Sequence, residues 1–258
     1  MSNIHPSAIV HPSAKVAHGV TIEPFAVIQD DVEIGEGTHI MSNAVIWSGS
    51  RIGKNVKVFP GAVVGAIPQD LKFQNEYTTT EIGDNTVIRE FVTIHKGTSH
   101  SLKTKVGSNC LLMCYVHVAH DCIIGDGCII ANSVNLAGHV IIDDFVTIEG
   151  TVAVQQFVRV GRYSFIAGGS LVRNNVPPFV KVAREPLRYM GVNAIGMERR
   201  GVDKETIRAI DDMYHRIFVK KQTTTAGIEE MNSIYFDNPY AKEISLFINE
   251  SKAIIRGS

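Results

Sequence analysis

His120 and Asp121 are adjacent in the chain, and Gly138 and His139 form a second pair eighteen positions further on. An imidazole that is neutral near physiological pH accepts a proton from a hydroxyl, and a carboxylate beside it favours the imidazolium that results. Gly138 offers a backbone N–H with no side chain in the way, which suits a developing oxyanion. The set reads as a general base, His120, its orienting carboxylate, Asp121, and an oxyanion donor, Gly138. No Ser or Cys is forced into a nucleophile's role, so direct transfer to a bound alcohol or amine is simpler than a covalent intermediate.

What must position these residues is a repeat. Steps of six from Ile4 to Val172 visit 29 positions, and 26 are Val, Ile or Leu, where 67 such residues in 258 would give about seven or eight. The exceptions are Asp70, Glu76 and His100. Two residues before the repeat aliphatic stands a small or β-branched residue, as at Ala8, Ala14, Val20 and Ala26, and Cys110, Cys122 and Cys128 fall on that position. A helix needs spacings of three and four and a long strand needs strict alternation. A period of six with turn glycines resembles instead the hexapeptide left-handed parallel β-helix, three hexads to a triangular coil, with coils about 4.8 Å apart.

Two interruptions locate the working edge. Val64 to Ile82 spans three hexads where one is due, and Ile94 to Val106 spans two where one is due. Removing both excursions restores the coil count and puts Val64, Ile94, Val118, Leu136, Val154 and Val172 on one wall. The edge after that wall then carries both excursions, His120-Asp121, Gly138-His139 and Gln155-Gln156, with His117 stacked on Asn135 just before it. Loops held by a rigid scaffold are where function concentrates.

Composition agrees with a narrow aliphatic prism: 45% hydrophobic but only 7% aromatic, at net charge −1. That balance excludes disorder and gives no support to bulk nucleic-acid or membrane electrostatics. No apolar run reaches the roughly 18 residues of a membrane span. The N-terminus lacks a signal peptide's pattern and the four cysteines form no CxxC pair, so the expected location is the cytoplasm. The expected fold is mainly β: a left-handed parallel β-helix over 1–185 with loop excursions at 65–81 and 95–105, then a C-terminal α-helical domain over 186–258. In that domain Asp203 is the expected cap of one helix, a second runs from Thr225 to Phe236, and a third carries Ile244, Phe247, Ile248 and Ile254. Between Arg159 and Arg188, six Lys or Arg stand against one acid, a local basic patch suited to an acidic partner.

A metal competes for the histidines. Prisms resembling gamma-class carbonic anhydrases hold zinc between subunits, and His95, His117, His120 and His139 offer nitrogen ligands. That family needs a second His five residues after the first, but His117 is followed at that distance by Cys122, at an inward position. No metal and no cofactor are expected.

Five segments carry a closer resemblance: GAIPQDLKF (65–73), IREFVTIHKGT (88–98), GSNCLLMCYVHVAHDC (107–122), LAGHVIIDDF (136–145) and GVNAIGMERRG (191–201). They resemble the UDP-N-acetylglucosamine O-acyltransferases of lipid A biosynthesis, along the whole chain. The resemblance implies a homotrimer with active sites between subunits. It implies transfer of a (3R)-3-hydroxyacyl group from acyl carrier protein to the glucosamine 3-hydroxyl. It assigns the base to His120 beside Asp121, the oxyanion donor to Gly138, and substrate contacts to His139, His117 and Gln156. Gln69, Asp70 and Lys72 would hold the nucleotide sugar, and Asn193, Arg199 and Arg200 the nucleotide end, where a guanidinium fork suits a diphosphate. Gly168-Gly169, placed one coil beyond Gln155-Gln156, resembles the stop that sets acyl length, with Gly169 leaving room for a long chain. The family commonly reads His-Gln-Phe where this chain reads Gln155-Gln156-Phe157. The alternatives are a hexapeptide N-acyltransferase on an amino-sugar nucleotide and a non-catalytic carrier-binding scaffold.

Overall fold

In the computed structural model, which describes residues 2–220 and 223–257, the chain winds through three sheets that form the walls of a prism. The first wall has 11 strands, from Asn3–Ile4 to Arg188–Val192. The second has nine, from Ile9–Val10 to Leu171–Val172, and the third has eight, from Lys15–Val16 to Arg159–Val160. Up to the last two strands of the first wall, successive strands of a wall lie three apart in the chain, so each coil gives one strand to each wall. All pairings are parallel except the last, where Val180–Ala183 turns back against Arg188–Val192.

The registers confirm the coil arithmetic. Asn3 pairs with Thr21, one plain coil on, and Leu111 pairs with Ile129 at the same separation. Between them, Lys57 pairs with Val87 and Val87 with Leu111, two steps lengthened by the two excursions. Val64, Ile94, Val118, Leu136, Val154 and Val172 are consecutive partners on the second wall. Most strands are two residues long because a corner follows every hexad. Its sharpness shows in Tyr115, Asp121, Ser133, His139, Thr151, Phe157 and Tyr163, six or twelve residues apart, all with φ between 58° and 64°. A non-glycine residue there costs about 1–2 kcal/mol, so the stacked coils dictate the conformation rather than the residue itself.

Inside, from Val20 and Ile22 onward, the repeat aliphatics and the small residues before them are buried, Cys110, Cys122 and Cys128 included, while the first coil is still partly open; all four cysteines are free thiols. The strands run further into the excursions than their spacing indicates: Val63–Ala66 and Thr79–Ile82 bound the first, leaving 67–78, and Thr93–His95 and Lys103–Val106 bound the second, leaving 96–102.

Four α-helices follow: α1 (Ala194–Arg199), α2 (Lys204–Tyr214), α3 (Thr224–Ile234) and α4 (Pro239–Glu250). Asp203 caps α2 by accepting from the Thr206 N–H, and His215–Lys220 extends α2 as a π-helical stretch. Ile254 is not helical, since α4 ends at Glu250 and Ile254 bridges to Asn175 in extended backbone. The helices lie against the prism. Arg162 is paired bidentately with Glu243 at 2.6 Å, under the rings of Phe179 and Tyr240, and the Tyr214 hydroxyl donates to Pro178 O at 2.7 Å. This packing neutralises part of the basic segment. Arg159 pairs with Asp143, Arg162 with Glu243 and Arg173 with Glu185, so a carrier-docking patch cannot draw on all six charges. Among the described residues no helix is long and apolar enough to cross a membrane.

Candidate active site

The edge between the second and third walls gathers the residues that the period predicts. His120 and Asp121 stand one coil from Gly138 and His139, and Phe157 stands one coil further, the ladder running through His139 N–H to His120 O and Phe157 N–H to Gly138 O. His120 is buried, with Nδ1 2.8 Å from Asp121 Oδ2. A carboxylate only accepts, so Nδ1 carries a proton, and in the neutral ring the lone pair is then on Nε2. Asp121 is held in turn by the second excursion. Oδ1 accepts from the N–H of Thr98 at 2.9 Å, the N–H of Ser101 at 3.3 Å and the Ser101 hydroxyl, and Oδ2 accepts from the Thr98 hydroxyl at 2.7 Å. Burial would raise this carboxyl, but the hydrogen bonds from Ser101, Thr98 and His120 outweigh it and hold it far below the ordinary carboxylate range. Asp121 is therefore a permanent anion beneath the imidazole.

Gly138 has a second reason to be glycine besides its unpaired N–H. A Cβ there would stand 2.6 Å from His120 Cε1 and 2.8 Å from Nε2, so the ring lies where a side chain would be. The Gly138 N–H meets no acceptor among the described residues and remains available to a ligand. His139 stacks on Phe157 at 4.5 Å and meets the rings of His120 and His100 edge-on. Its Nδ1 is buried without a partner, 3.8 Å from Asp121 Oδ2, and burial lowers its pKa. His120, Asp121 and His139 place ligand atoms within 4.8 Å of one another, as a metal site does. The Asp121 oxygens already accept five hydrogen bonds, however, so binding a cation would mean dismantling the support of the second excursion.

His117 projects outward on the second wall, shares a 2.8 Å hydrogen bond with Thr93 Oγ1 and meets His95 edge-on. Burial, with the imidazoles of His117 and His120 nearby, pushes His95 from the ordinary 6.5 down to about 4. The unfolded chain takes up that proton below about 6.5 and the folded one only near 4, so His95 loses a stabilising contribution of roughly 3 kcal/mol as pH falls through that window. Between pH 7 and 4.5 the melting temperature of the native protein is expected to drop several degrees more than that of His95→Gln. Equal drops would show that His95 is not held neutral by the fold.

The first excursion brings Asp70 close enough for its charge to act on His139, while Gln69 and Lys72 point to solvent. Asp70 Oδ1 accepts from the Lys72 N–H, a turn that shapes the loop tip. Gln156 is exposed at the same edge. Asn193, Arg199 and Arg200 are elsewhere, against the first wall, which lies opposite this edge. Asn193 caps α1 through its carboxamide oxygen and donates to Tyr163 O. Arg200 donates to Gly127 O and covers the Phe145 ring. Arg199 borders a cavity of about 480 Å³ with Lys181 and Phe165. One protomer therefore cannot close both sets around one ligand.

Gly169 also needs moving. It falls short of a full coil beyond Gln156, and its N–H donates to Gly150 O, which puts it on the edge before the second wall, not on the His120 edge. Nothing lies within 4 Å of a Cβ built there. Sequence reasoning missed Thr98 and Ser101 altogether, because an excursion outside the period carries no positional signal.

A prism of six-residue repeats, with His120, Asp121 and Gly138 gathered at one edge, has the fold of a hexapeptide-repeat transferase built on a left-handed β-helix. The family model described as bacterial transferase hexapeptide (six repeats) matches residues 31–66 and 103–138, and that described as UDP N-acetylglucosamine O-acyltransferase, domain 2, matches 175–258. Relatives named acyl-[acyl-carrier-protein]–UDP-N-acetylglucosamine O-acyltransferase from Alkalilimnicola ehrlichii and Myxococcus xanthus are each 42% identical. They cover 99% and 98% of this chain and 100% and 98% of their own. The crystal structure of the UDP-N-acetylglucosamine acyltransferase of Bacteroides fragilis matches with a TM-score of 0.95 at 46% identity, over 97% of this chain and 98% of that one. The chain belongs to the family of acyl-[acyl-carrier-protein]–UDP-N-acetylglucosamine O-acyltransferases.

Proposed function

We propose that this protein transfers a (3R)-3-hydroxyacyl group from acyl carrier protein to the 3-hydroxyl of UDP-N-acetylglucosamine, the first step of lipid A synthesis, in the cytoplasm. The observation that carries the chemistry is His120, its Nδ1 fixed by Asp121 and its Nε2 lying against Gly138. Nε2 takes the proton of the sugar hydroxyl as its oxygen attacks the thioester carbonyl carbon. The carbonyl oxygen becomes an oxyanion that accepts the Gly138 N–H. The C–S bond then breaks, the new ester remains on the sugar, and the imidazolium returns its proton to the departing thiolate. His139, His117, Gln156, Gln69, Asp70 and Lys72 line the approach of the sugar nucleotide.

The separation of Asn193, Arg199 and Arg200 from that edge supports a homotrimer in which the first wall of one prism faces the His120 edge of the next. In that arrangement the arginines reach the nucleotide end across the interface. Because Gly169 lies on the edge before the second wall, an acyl chain attached at the His120 edge reaches it only by running across that wall, and the open space there fits a long chain, of at least about 14 carbons. Mass spectrometry of products from 3-hydroxyacyl carrier donors of different lengths, incubated with UDP-N-acetylglucosamine, tests both parts. A base-labile ester that is greatest at about 14 carbons or more is expected. A base-stable amide would overturn the O-acyl reading, and a preference for about ten carbons would overturn the role of Gly169.

A further inference from the structure

Asp121 carries more hydrogen bonds than the orientation of one imidazole requires. Two imidazoles stand within reach of its Oδ2, His120 at 2.8 Å and His139 at 3.8 Å, and the His139 Nδ1 is buried with no partner. A carboxylate free to turn about its Cβ–Cγ bond can serve either ring, and only one of the two arrangements leaves His120 protonated on Nδ1 with Nε2 free. The second excursion removes that choice. Thr98 grips both oxygens at once, its N–H on Oδ1 and its hydroxyl on Oδ2, and Ser101 closes on Oδ1 through its hydroxyl. The excursion is itself braced. The Ser99 N–H donates to Glu76 Oε1 of the first excursion at 2.8 Å.

We propose that Thr98 and Ser101 are positioning residues that hold the Asp121 carboxylate on His120 and off His139. The proposal rests on His120 being the base. Neither residue touches substrate in this role. Each acts through Asp121 on the imidazole, so its removal changes the fraction of correctly set base and not the affinity for either substrate.

Thr98→Val keeps the shape and the N–H but loses the hydroxyl, Ser101→Ala loses the donor to Oδ1, and Thr98→Ser restores the hydroxyl. A hydrogen bond to a charged group sets the scale: kcat is expected to fall about tenfold or more in Thr98→Val and in Ser101→Ala. KM for both substrates should stay within about twofold. Thr98→Ser should recover to within about threefold of the native rate. A purely structural loop would give a different pattern, with KM and melting temperature moving and no rescue by serine. If Thr98→Val does not fold, Ser101→Ala carries the same expectation. Native kcat in the folded loop variants, a loss confined to KM, or a failure of Thr98→Ser to recover overturns the proposal. His120→Ala assayed in parallel separates the two ideas. An active His120→Ala defeats the base itself, whereas an inactive one beside normal loop variants defeats only the positioning role.

Discussion

Replacing His120 with alanine is expected to lower kcat by about two to four orders of magnitude, the usual worth of a positioned general base, while the protein stays folded. The structure explains why the fold survives. The imidazole supplies one of the five hydrogen bonds on Asp121, and the four from Thr98 and Ser101 remain, so the anion is not stranded when the ring goes. The ring packs at a corner and not among the inward aliphatics, so its loss opens no cavity inside the prism. KM for the sugar nucleotide should change little, because the contacts proposed for it in the first excursion and at Arg199 and Arg200 are untouched. His120→Gln makes the argument stricter, since glutamine can donate to Asp121 and fill much of the volume yet cannot take up a proton near neutral pH. Both variants should be equally slow, with melting temperatures within a few degrees of the native protein. A kcat within about tenfold of native in either one would remove His120 from the base's role.

The fold is legible because a prism must repeat itself in its sequence. An inward aliphatic every six residues leaves Val and Ile as the economical choice, and the surplus hexads between Val64 and Ile82 and between Ile94 and Val106 reappear as the long registers of Val64 with Ile94 and of Ile94 with Val118. The column of His120, Gly138 and Gln156 is legible for the same reason, since stacking in a coil is a matter of counting. Counting also misleads where it is not carried through: Gly169 stops short of a full coil beyond Gln156, and that shortfall moves it across a whole wall. What cannot be counted is invisible. Thr98 and Ser101 lie in an excursion that obeys no period, and Arg162 meets Glu243 only because the helical tail folds back over the prism from far along the chain. The resemblance groups Asn193, Arg199 and Arg200 as nucleotide contacts; the structure shows two of the three holding the tail to the prism, a duty the motif does not announce.

Gly138 provides the sharpest test of how closely the base is placed. Its backbone is ordinary, unlike the left-handed Gly127 and Gly169, so alanine can be accommodated there without conformational strain and even removes some freedom from the unfolded chain. The whole cost of Gly138→Ala is therefore steric, and it falls on one ring. The new methyl would sit 2.6 Å from Cε1 and 2.8 Å from Nε2 of His120, and the ring must retreat by roughly 1 Å to restore ordinary contact. It cannot retreat freely, being buried and tied to Asp121, whose own position is fixed by the second excursion. Either the imidazole tilts and loses Asp121 or the turn between Ala137 and His139 shifts, and both carry Nε2 away from the attacking hydroxyl. A misplacement of that size costs about a hundredfold, so kcat is expected to drop by about that factor, and the melting temperature by several degrees as the clash strains the corner. Because alanine retains its N–H, the oxyanion donor is still present, and the loss reports the position of the base. Turnover within about threefold of native would mean that the ring can slide without penalty, and that proximity contributes little of the rate.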